Sequence, residues 1–238
     1  MHLNLTKENV FNLKFLSAFF LLTWICFEAH EFSHYSAVLF QGGRLYAAFN
    51  QWWVVGGSGI AGDAAGPLMT YILMWTGMFM LAKSKNHRLL GFALIFANTP
   101  LSRIAGPGHI PSGDERNIAA ELGISPSLFL IPVLLAVMPP LIIAYKSIGN
   151  RHRLLWFLFF FLAAPVSFAI AVLAVDQFFL LPIVKKSYET GIPLIPMVFG
   201  IPVVIIVTDI VVLALFLGKF VRYLSFPVDG RAVPGNPV

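Results

Sequence analysis

Residues 12–40 read NLKFLSAFFLLTWICFEAHEFSHYSAVLF, a run that is apolar over most of its length but carries ionisable side chains near its end. A helix of roughly 20 mostly apolar residues is long enough to cross a bilayer, so this run predicts a membrane-spanning helix. Ionisable residues inside such a helix are costly to bury and usually have a function. Glu28, His30, Glu31 and His34 are therefore the first candidate functional residues of this chain.

The rest of the chain is also typical of a membrane protein. Of its 238 residues, 58% are hydrophobic and 11% are charged, whereas soluble domains carry about 25% charged residues. The net charge of +5 indicates loops that face anionic lipid, with no nucleic-acid partner. One cysteine excludes a disulfide framework within the chain and a cysteine-rich metal site. Five further apolar stretches predict spanning helices, at residues 66–82, 89–104, 125–145, 154–183 and 193–218.

Two loops differ from the other connections. After the first span, the runs Arg44–Phe49 and Trp52–Val55 alternate like short β-strands and are flanked by glycines, which predicts a β-hairpin. The open edge of a hairpin cannot face lipid, so this one must lie against protein or water. Residues 105–124 are polar and rich in turn formers, and Asp114 can cap a short helix that runs to Leu122.

We therefore expect an all-α polytopic membrane protein with about six transmembrane helices and a short β-hairpin-like segment after the first. It would form a single membrane domain over residues 1–238. Its parts are a core at 12–124, additional transmembrane helices at 125–224 and a disordered tail at 225–238. The phenylalanine-rich run at 156–165, WFLFFFLAAP, is expected to face lipid.

The distribution of lysine and arginine predicts the orientation. With six spans, both termini share one side of the membrane with the second and fourth loops. That side carries eleven of the 16 basic residues, namely Lys7, Lys14, Lys83, Lys85, Arg88, Lys146, Arg151, Arg153, Lys219, Arg222 and Arg231. The other side carries five, namely Arg44, Arg103, Arg116, Lys185 and Lys186. Because basic loops stay in the cytoplasm, both termini are predicted to be cytoplasmic.

The segment His30-Glu31-Phe32-Ser33-His34 fits the pattern H-E-x-x-H. Residues four apart on a helix lie one turn above each other, so both imidazoles can hold one metal ion. Glu31 projects about 100° away and can reach a water molecule on that metal. Two histidine ligands beside a glutamate base are typical of zinc hydrolases, so the pattern predicts Zn²⁺ with His30 and His34 as ligands and Glu31 as general base.

A catalytic zinc site usually has three protein ligands and one open position, so a third ligand must come from elsewhere. The candidates are Asp114, Asp63, Asp176, Asp209, His109, Glu115 and Glu28. Asp114 and Asp63 lie in glycine-flanked polar segments that can fold back, and we prefer Asp114. Its alternative role is an ordinary helix N-cap. Glu28 lies on the wrong part of the helix to join both histidines.

These residues resemble a known family. An H-E-x-x-H in a long spanning helix, followed by a glycine-rich β-like segment and then by Ala65-Gly66-Pro67-Leu68 at the start of the next helix, resembles the site-2 protease class of intramembrane zinc metalloproteases, peptidase family M50. Within this family, the chain most resembles the short M50B-like branch. It covers roughly residues 15–122 and leaves the last three helices unassigned.

The resemblance implies the third ligand. The family carries a later motif N-x-x-P-x-P-x-x-D-G, whose Asp binds zinc, and Pro111-Ser112-Gly113-Asp114 keeps P-x-x-D. Asp114 would then be the third ligand, although Glu115 stands where the family has Gly. Asn98 is the nearest counterpart of the motif's Asn but is not at the usual distance. It would bond the substrate strand or the oxyanion, or else form an interhelical hydrogen bond.

The resemblance implies hydrolysis of a peptide bond in or near a transmembrane segment of another membrane protein. The substrate helix would unwind, and the segment at 44–55 could pair with it as an added strand. The alternative is a non-catalytic membrane metal-binding or transport protein that uses the same histidine pair and does not depend on Glu31. A proteolytically inactive relative that acts as a scaffold is a further alternative.

Overall fold

The protein is described here by a computed structural model, which covers residues 3, 5, 6, 10–49, 52–55, 59–109, 113–163, 166 and 176–224. The expected tail at 225–238 lies outside the described residues. Part of the expected fifth span, residues 164, 165 and 167–175, lies outside them as well.

Helices form most of the described chain. They are α1 Leu13–Phe40, α2 Gly59–Lys83, α3 Arg88–Ala97, α4 Pro100–His109, α5 Asp114–Glu121, α6 Pro126–Ser147, α7 Arg153–Leu158, α8 Leu181–Thr190 and α9 Val203–Leu215. Wider π-helical turns extend α7 over Phe159–Ala163 and precede α8 at Asp176–Leu180. The helix that begins with α9 continues through Phe216–Phe220 and Val221–Leu224. The strands are β1 Arg44–Ala47, β2 Trp52–Val55, β3 Met197–Val198 and β4 Ile201–Pro202.

Five helical stretches are long and apolar enough to cross a membrane. They are Leu13–Phe40, Gly59–Lys83, Arg88–Pro107, Pro126–Ser147 and Val203–Leu224. The prediction of an α-helical membrane protein is therefore confirmed, and a count of six spans stays a prediction. The described beginning of the expected fifth span, Arg153–Leu162, is apolar but short.

The predicted start of the last span is wrong, and the third predicted span, present as Arg88–Pro107, contains a break. The last helix begins at Val203 instead of 193, because β3 and β4 pair just before it and Pro202 cannot donate to a preceding helical turn. The third span is broken between α3 and α4. Thr99 takes a left-handed backbone conformation with φ 47°, and Pro100 begins the next helix.

Several contacts bring distant parts of the chain to one end of the molecule. The backbone N–H of Leu3 donates to the carbonyl oxygen of Ser147 at 2.7 Å, and the N–H of Gly149 donates to that of Leu3 at 3.0 Å. The Lys14 ammonium lies 5.7 Å from the centre of the Tyr223 ring. The start of α1, the end of α6 and the end of the last helix therefore lie together.

The predicted hairpin is present. Strands β1 and β2 pair antiparallel, with Arg44 opposite Val55 and Ala47 opposite Trp52. The first strand ends at Ala47, two residues earlier than expected. The backbone N–H of Ala47 donates to the carbonyl oxygen of Gly200 at 3.0 Å, so the β3–β4 turn lies against β1. The outer edge of β1 therefore packs against protein, as an open polar edge requires.

The core is built where α1, α2 and α3 pack together. A Cβ on Gly77 of α2 would lie 2.7 Å from the carbonyl oxygen of Gly91 on α3, so these two helices approach closely through glycine. Phe160 is fully buried and contacts Phe19, Phe92 and Phe96. The expectation that the whole phenylalanine run faces lipid is therefore wrong, because one face of it fills the core.

Candidate metal centre

The two histidines of the H-E-x-x-H segment lie one above the other on α1. Their ring centres are 4.7 Å apart, and their Nε2 atoms are 3.1 Å apart. His30 is 7% exposed and His34 is 0% exposed, so both rings are shielded from solvent. The four-residue spacing therefore gives the geometry that the sequence predicts.

Asp114 lies beside both rings. Its Oδ2 atom is 3.0 Å from Nε2 of His30 and 3.6 Å from Nε2 of His34. Asp114 is the first residue of α5, whereas the N-cap position belongs to Gly113, which has extended backbone angles. The N-cap alternative for Asp114 is therefore wrong. The expected short helix is present and ends at Glu121, with Leu122 at its C-cap.

His30, His34 and Asp114 each offer a ligand atom, and these atoms all lie within 4.8 Å of one another. Among the residues that the structure describes, these three form the cluster of histidine, cysteine, aspartate or glutamate side chains that could hold a metal ion. The arrangement brings together two residues of α1 and one residue that is 80 positions further along the chain than His34.

The structure places the other candidate ligands elsewhere. Asp209 accepts a hydrogen bond from Nε1 of Trp24 at 3.0 Å, and Asp176 accepts one from the N–H of Phe49 at 3.1 Å. Asp63 is buried on α2 but is not part of the three-residue group. Glu115 and Glu28 are also outside that group. The side chain of His109 lies outside the described part of the structure.

The second nitrogen of each histidine ring has its own partner. Nδ1 of His34 donates to the carbonyl oxygen of Gly62 at 2.7 Å. A carbonyl can only accept, so Nδ1 carries a proton and the Nε2 of neutral His34 presents a lone pair. Nδ1 of His30 lies 2.9 Å from Oγ1 of Thr70, which can accept the same kind of hydrogen bond. Such partners orient metal-ligating histidines.

Replacing Thr70 with valine tests this orientation of His30. Thr70→Val keeps the side-chain shape but removes the acceptor, and we expect zinc affinity to fall about 10–100-fold. Competition with a chelator measures the affinity. Thr76→Val is the matched control, since the Thr76 hydroxyl bonds to the carbonyl of Ile72 within α2 at 2.8 Å. Equal zinc affinities of the two variants would contradict the role of Thr70.

Gly66 of α2 leaves the space in which a metal fits. A Cβ at this position would lie 2.2 Å from Nε2 of His34 and 2.7 Å from Nε2 of His30. Bonds from zinc to histidine nitrogen are about 2.0–2.1 Å long. The volume that a side chain would fill is therefore close to bonding distance from both rings. With Asp114 as a third donor, the residues present fit a zinc ion.

Arg103 contacts the same Asp114 oxygen that lies beside the two histidines, and it also contacts Glu115. Nη1 of Arg103 lies 3.2 Å from Oδ2 of Asp114 and 3.1 Å from Oε1 of Glu115. Burial raises the pKa of Asp114, but the neighbouring His30, His34 and Arg103 outweigh burial and hold that pKa well below the ordinary value. The pKa of Glu115 is raised, because burial outweighs the opposing effect of Arg103.

Glu31 is buried next to His30 on α1, and its side chain is 7% exposed. Its Oε2 atom is buried and has no hydrogen-bond partner among the residues that the structure describes. An unpaired buried carboxylate oxygen is costly, so it needs a water molecule, a proton or a cation nearby. The Trp52 ring of β2 lies 5.1 Å from the ring of His34 and covers this part of the site.

Asn98 is 4% exposed and connects two helices. Its Nδ2 atom donates to the carbonyl of Leu94 at 2.7 Å and contacts Sγ of Cys26 on α1 at 3.5 Å. Because Cys26 lies one turn before His30, Asn98 contacts the helix that carries the two histidines, one turn away from them. These contacts favour the interhelical alternative over a bond to substrate.

Three residues of this site are not among the candidates that the sequence indicates. Arg103 reads as a loop charge in the sequence, whereas in the structure it is mostly buried beside Asp114. Thr70 lies in the same Ala-Gly-Pro-Leu-Met-Thr stretch that carries the resemblance, one helical turn after Gly66, and that spacing was a usable signal. Gly62 lies inside α2 instead of a loop, and it acts through its backbone carbonyl.

Comparisons with protein-family models, with curated proteins and with solved structures found no match to this chain.

Proposed function

We propose that this chain is an intramembrane zinc metalloprotease that hydrolyses a peptide bond in or near a transmembrane segment of a membrane-protein substrate. One observation carries the proposal. Nε2 of His30, Nε2 of His34 and Oδ2 of Asp114 converge within 4.8 Å, at a space that Gly66 leaves open, beside the buried carboxylate of Glu31. The resemblance to peptidase family M50 supports the same function.

Each residue has a role in this reaction. His30, His34 and Asp114 would hold the ion and leave one position open for water or substrate. When bound, zinc would lower the pKa of water towards about 7 and polarise the carbonyl of the scissile bond. Glu31 takes a proton from the attacking water and later passes it to the leaving amine. Gly62 and Thr70 keep the two imidazoles in their ligating orientation.

The depth of the site supports a membrane-embedded substrate. At 1.5 Å per residue, His30 lies about 25 Å from the start of α1 and about 15 Å from its end. Such a position falls within the apolar part of a spanning helix. A substrate helix hides its peptide bonds, so it must unwind to be cut. Strand β2 pairs with β1 on one side, and we propose that its other edge pairs with the unwound segment.

The orientation is part of the same proposal. The end of the molecule that holds Leu3, Ser147 and Tyr223 would face the cytoplasm, because most basic residues lie at the helix ends on that side. Arg103 is buried in the candidate metal centre, so it does not count as a loop charge on the opposite side. The charge bias that favours cytoplasmic termini is thus stronger than the sequence alone indicates.

Zinc content tests the metal centre directly. In the purified chain in detergent, we expect about one zinc per chain for a single site of this kind. His34→Ala should lose the zinc, Asp114→Ala should weaken its binding, and Glu31→Gln should retain it. Mass spectrometry of metals after desalting measures the content. A wild-type chain that binds no zinc, even after zinc has been added back, would refute the proposal.

A metal-transport function is the second candidate, and one observation favours it. Acidic residues lie along α1 and the helices beside it, with Glu28 8% exposed and Asp176 fully buried. Ionisable residues inside spanning segments often line ion pathways. Transport would not need a general base, so Glu31→Gln would leave it intact. Uptake of radioactive zinc into proteoliposomes, with wild type and Glu31→Gln compared, separates the two functions.

A further inference from the structure

Arg103 is buried between two neighbouring carboxylates. Its side chain is 16% exposed, and the single atom Nη1 lies 3.2 Å from Asp114 Oδ2 and 3.1 Å from Glu115 Oε1. Buried charges are stable only when they are paired. Arg103 therefore ties α4, on which it lies, to the first turn of α5, where both carboxylates lie.

Glu115 is itself held firmly. Its side chain is 2% exposed, and the hydroxyl of Tyr71 on α2 donates to its Oε1 atom at 3.2 Å. A Cβ on Gly106 of α4 would lie 2.5 Å from Oε2 of Glu115, so a larger residue there would displace this carboxylate. Glu115 thus has a fixed position, and it fixes Arg103 in turn.

Asp114 needs such support, because its own helix is short and has no side-chain cap. Helix α5 has eight residues, and its N-cap Gly113 offers no side chain to the first turn. Among the residues that the structure describes, the Asp114 carboxylate contacts the two histidines and accepts a hydrogen bond from Arg103. Carboxylate ligands of metals are generally held by further hydrogen bonds of this kind.

We propose that Arg103 is the positioning residue of the metal centre, fixed by Glu115 and Tyr71 and holding Oδ2 of Asp114 where it can bind the ion. This inference rests on the proposed zinc site. Glu115 stands where the motif has glycine, and its carboxylate neutralises and anchors the arginine.

The test compares zinc affinity with thermal stability, because a merely structural role would change only the second. Zinc affinity of the full chain in detergent is measured by competition with a chelator, and melting is followed with and without zinc. We expect Arg103→Gln to lower zinc affinity about 10–100-fold. Arg116→Gln is the matched control, because Arg116 is an exposed arginine in the α5 turn that carries Asp114 and Glu115.

A double variant keeps the test valid if Arg103→Gln folds poorly. Arg103→Met with Glu115→Gln removes the Arg103–Glu115 pair as a unit, so the buried Glu115 side chain is not left as an unpaired charge, and such exchanges are often neutral for stability. Asp114, whose side chain is 22% exposed, keeps its contacts with the two histidines. We expect this variant to melt near the wild type and still to bind zinc about 10–100-fold more weakly. Arg103→Lys should bind with intermediate affinity, because it keeps the charge but not the planar fork.

The outcomes are distinguishable from failure of the proposed function. If the wild type binds no zinc, the proposed metalloprotease is refuted, and this inference with it. If the wild type binds zinc, and Arg103→Gln and the double variant bind it equally well, only the positioning role is refuted. If zinc affinity falls as expected but no proteolysis is ever found, the positioning role stands without the protease.

Discussion

Gly66→Ala is expected to abolish zinc binding while the chain still folds. The new Cβ would lie 2.2 Å from Nε2 of His34 and 2.7 Å from Nε2 of His30, in the volume that the ion needs. Neither ring can yield without breaking its bond to Gly62 or Thr70. Crowding of this kind costs about 1–3 kcal/mol of folding free energy, which lowers stability without preventing folding. Metal content after desalting measures the result.

Gly218→Ala is the control for this prediction. Gly218 lies in the last helix, and a Cβ there would meet no atom within 4 Å. Both variants add one methyl group at a helical glycine, so they differ only in what surrounds that group. We expect Gly218→Ala to retain wild-type zinc. A Gly66→Ala chain that also holds one zinc would show that the ion, if any, binds somewhere other than between these histidines.

The sequence predicted α1 and its pair of stacked histidines because both depend on local spacing. An apolar run of this length must be helical in a bilayer, and a four-residue interval then places His30 and His34 on one face. Asp114 was harder to identify, because 80 residues separate it from His34 and the choice between it and Asp63 depended on a family motif. The hairpin was recognisable from its alternation and its flanking glycines.

What the sequence could not predict depends on which helix faces meet. Arg103 looks like a loop charge until α4 packs beside α5, and its pairing with Asp114 and Glu115 follows only from that packing. Nothing in the sequence distinguishes Phe160 from Phe159 and Phe161, but of these three residues only Phe160 is fully buried. The break at Thr99 interrupts an apolar run that has no polar signal strong enough to end a helix there.

The polar groups of the site are arranged so that each supports a neighbour. His34 is fixed by a carbonyl of α2, Asp114 by Arg103, and Arg103 by Glu115. In a low-dielectric interior an unpaired member of such a network would be costly, so the network either forms completely or destabilises the fold. The buried oxygen of Glu31 that has no partner in the described structure stands apart from this scheme. A group that is left free in this way can exchange a proton during a reaction.

Glu31→Gln is therefore expected to separate metal binding from catalysis. Glutamine has the same shape but cannot accept a proton as a carboxylate does, so the ligands stay in place and the base is lost. We expect zinc content equal to the wild type and a fall in the cleavage rate of about 10²–10⁴-fold, the usual contribution of a general base. Glu121→Gln is the control, because Glu121 is exposed at the end of α5.

Membrane fragments reveal the activity before a substrate is known. Cells that express wild type, Glu31→Gln or Glu121→Gln are compared by mass spectrometry of membrane-derived peptides. Fragments that end within a transmembrane segment should appear with wild type and Glu121→Gln and be absent with Glu31→Gln. The uncut parent protein should accumulate on the Glu31→Gln chain, since binding there does not require the base. If Glu31→Gln produces the same fragments as wild type, Glu31 is not the base and the buried histidine pair must serve a different chemistry.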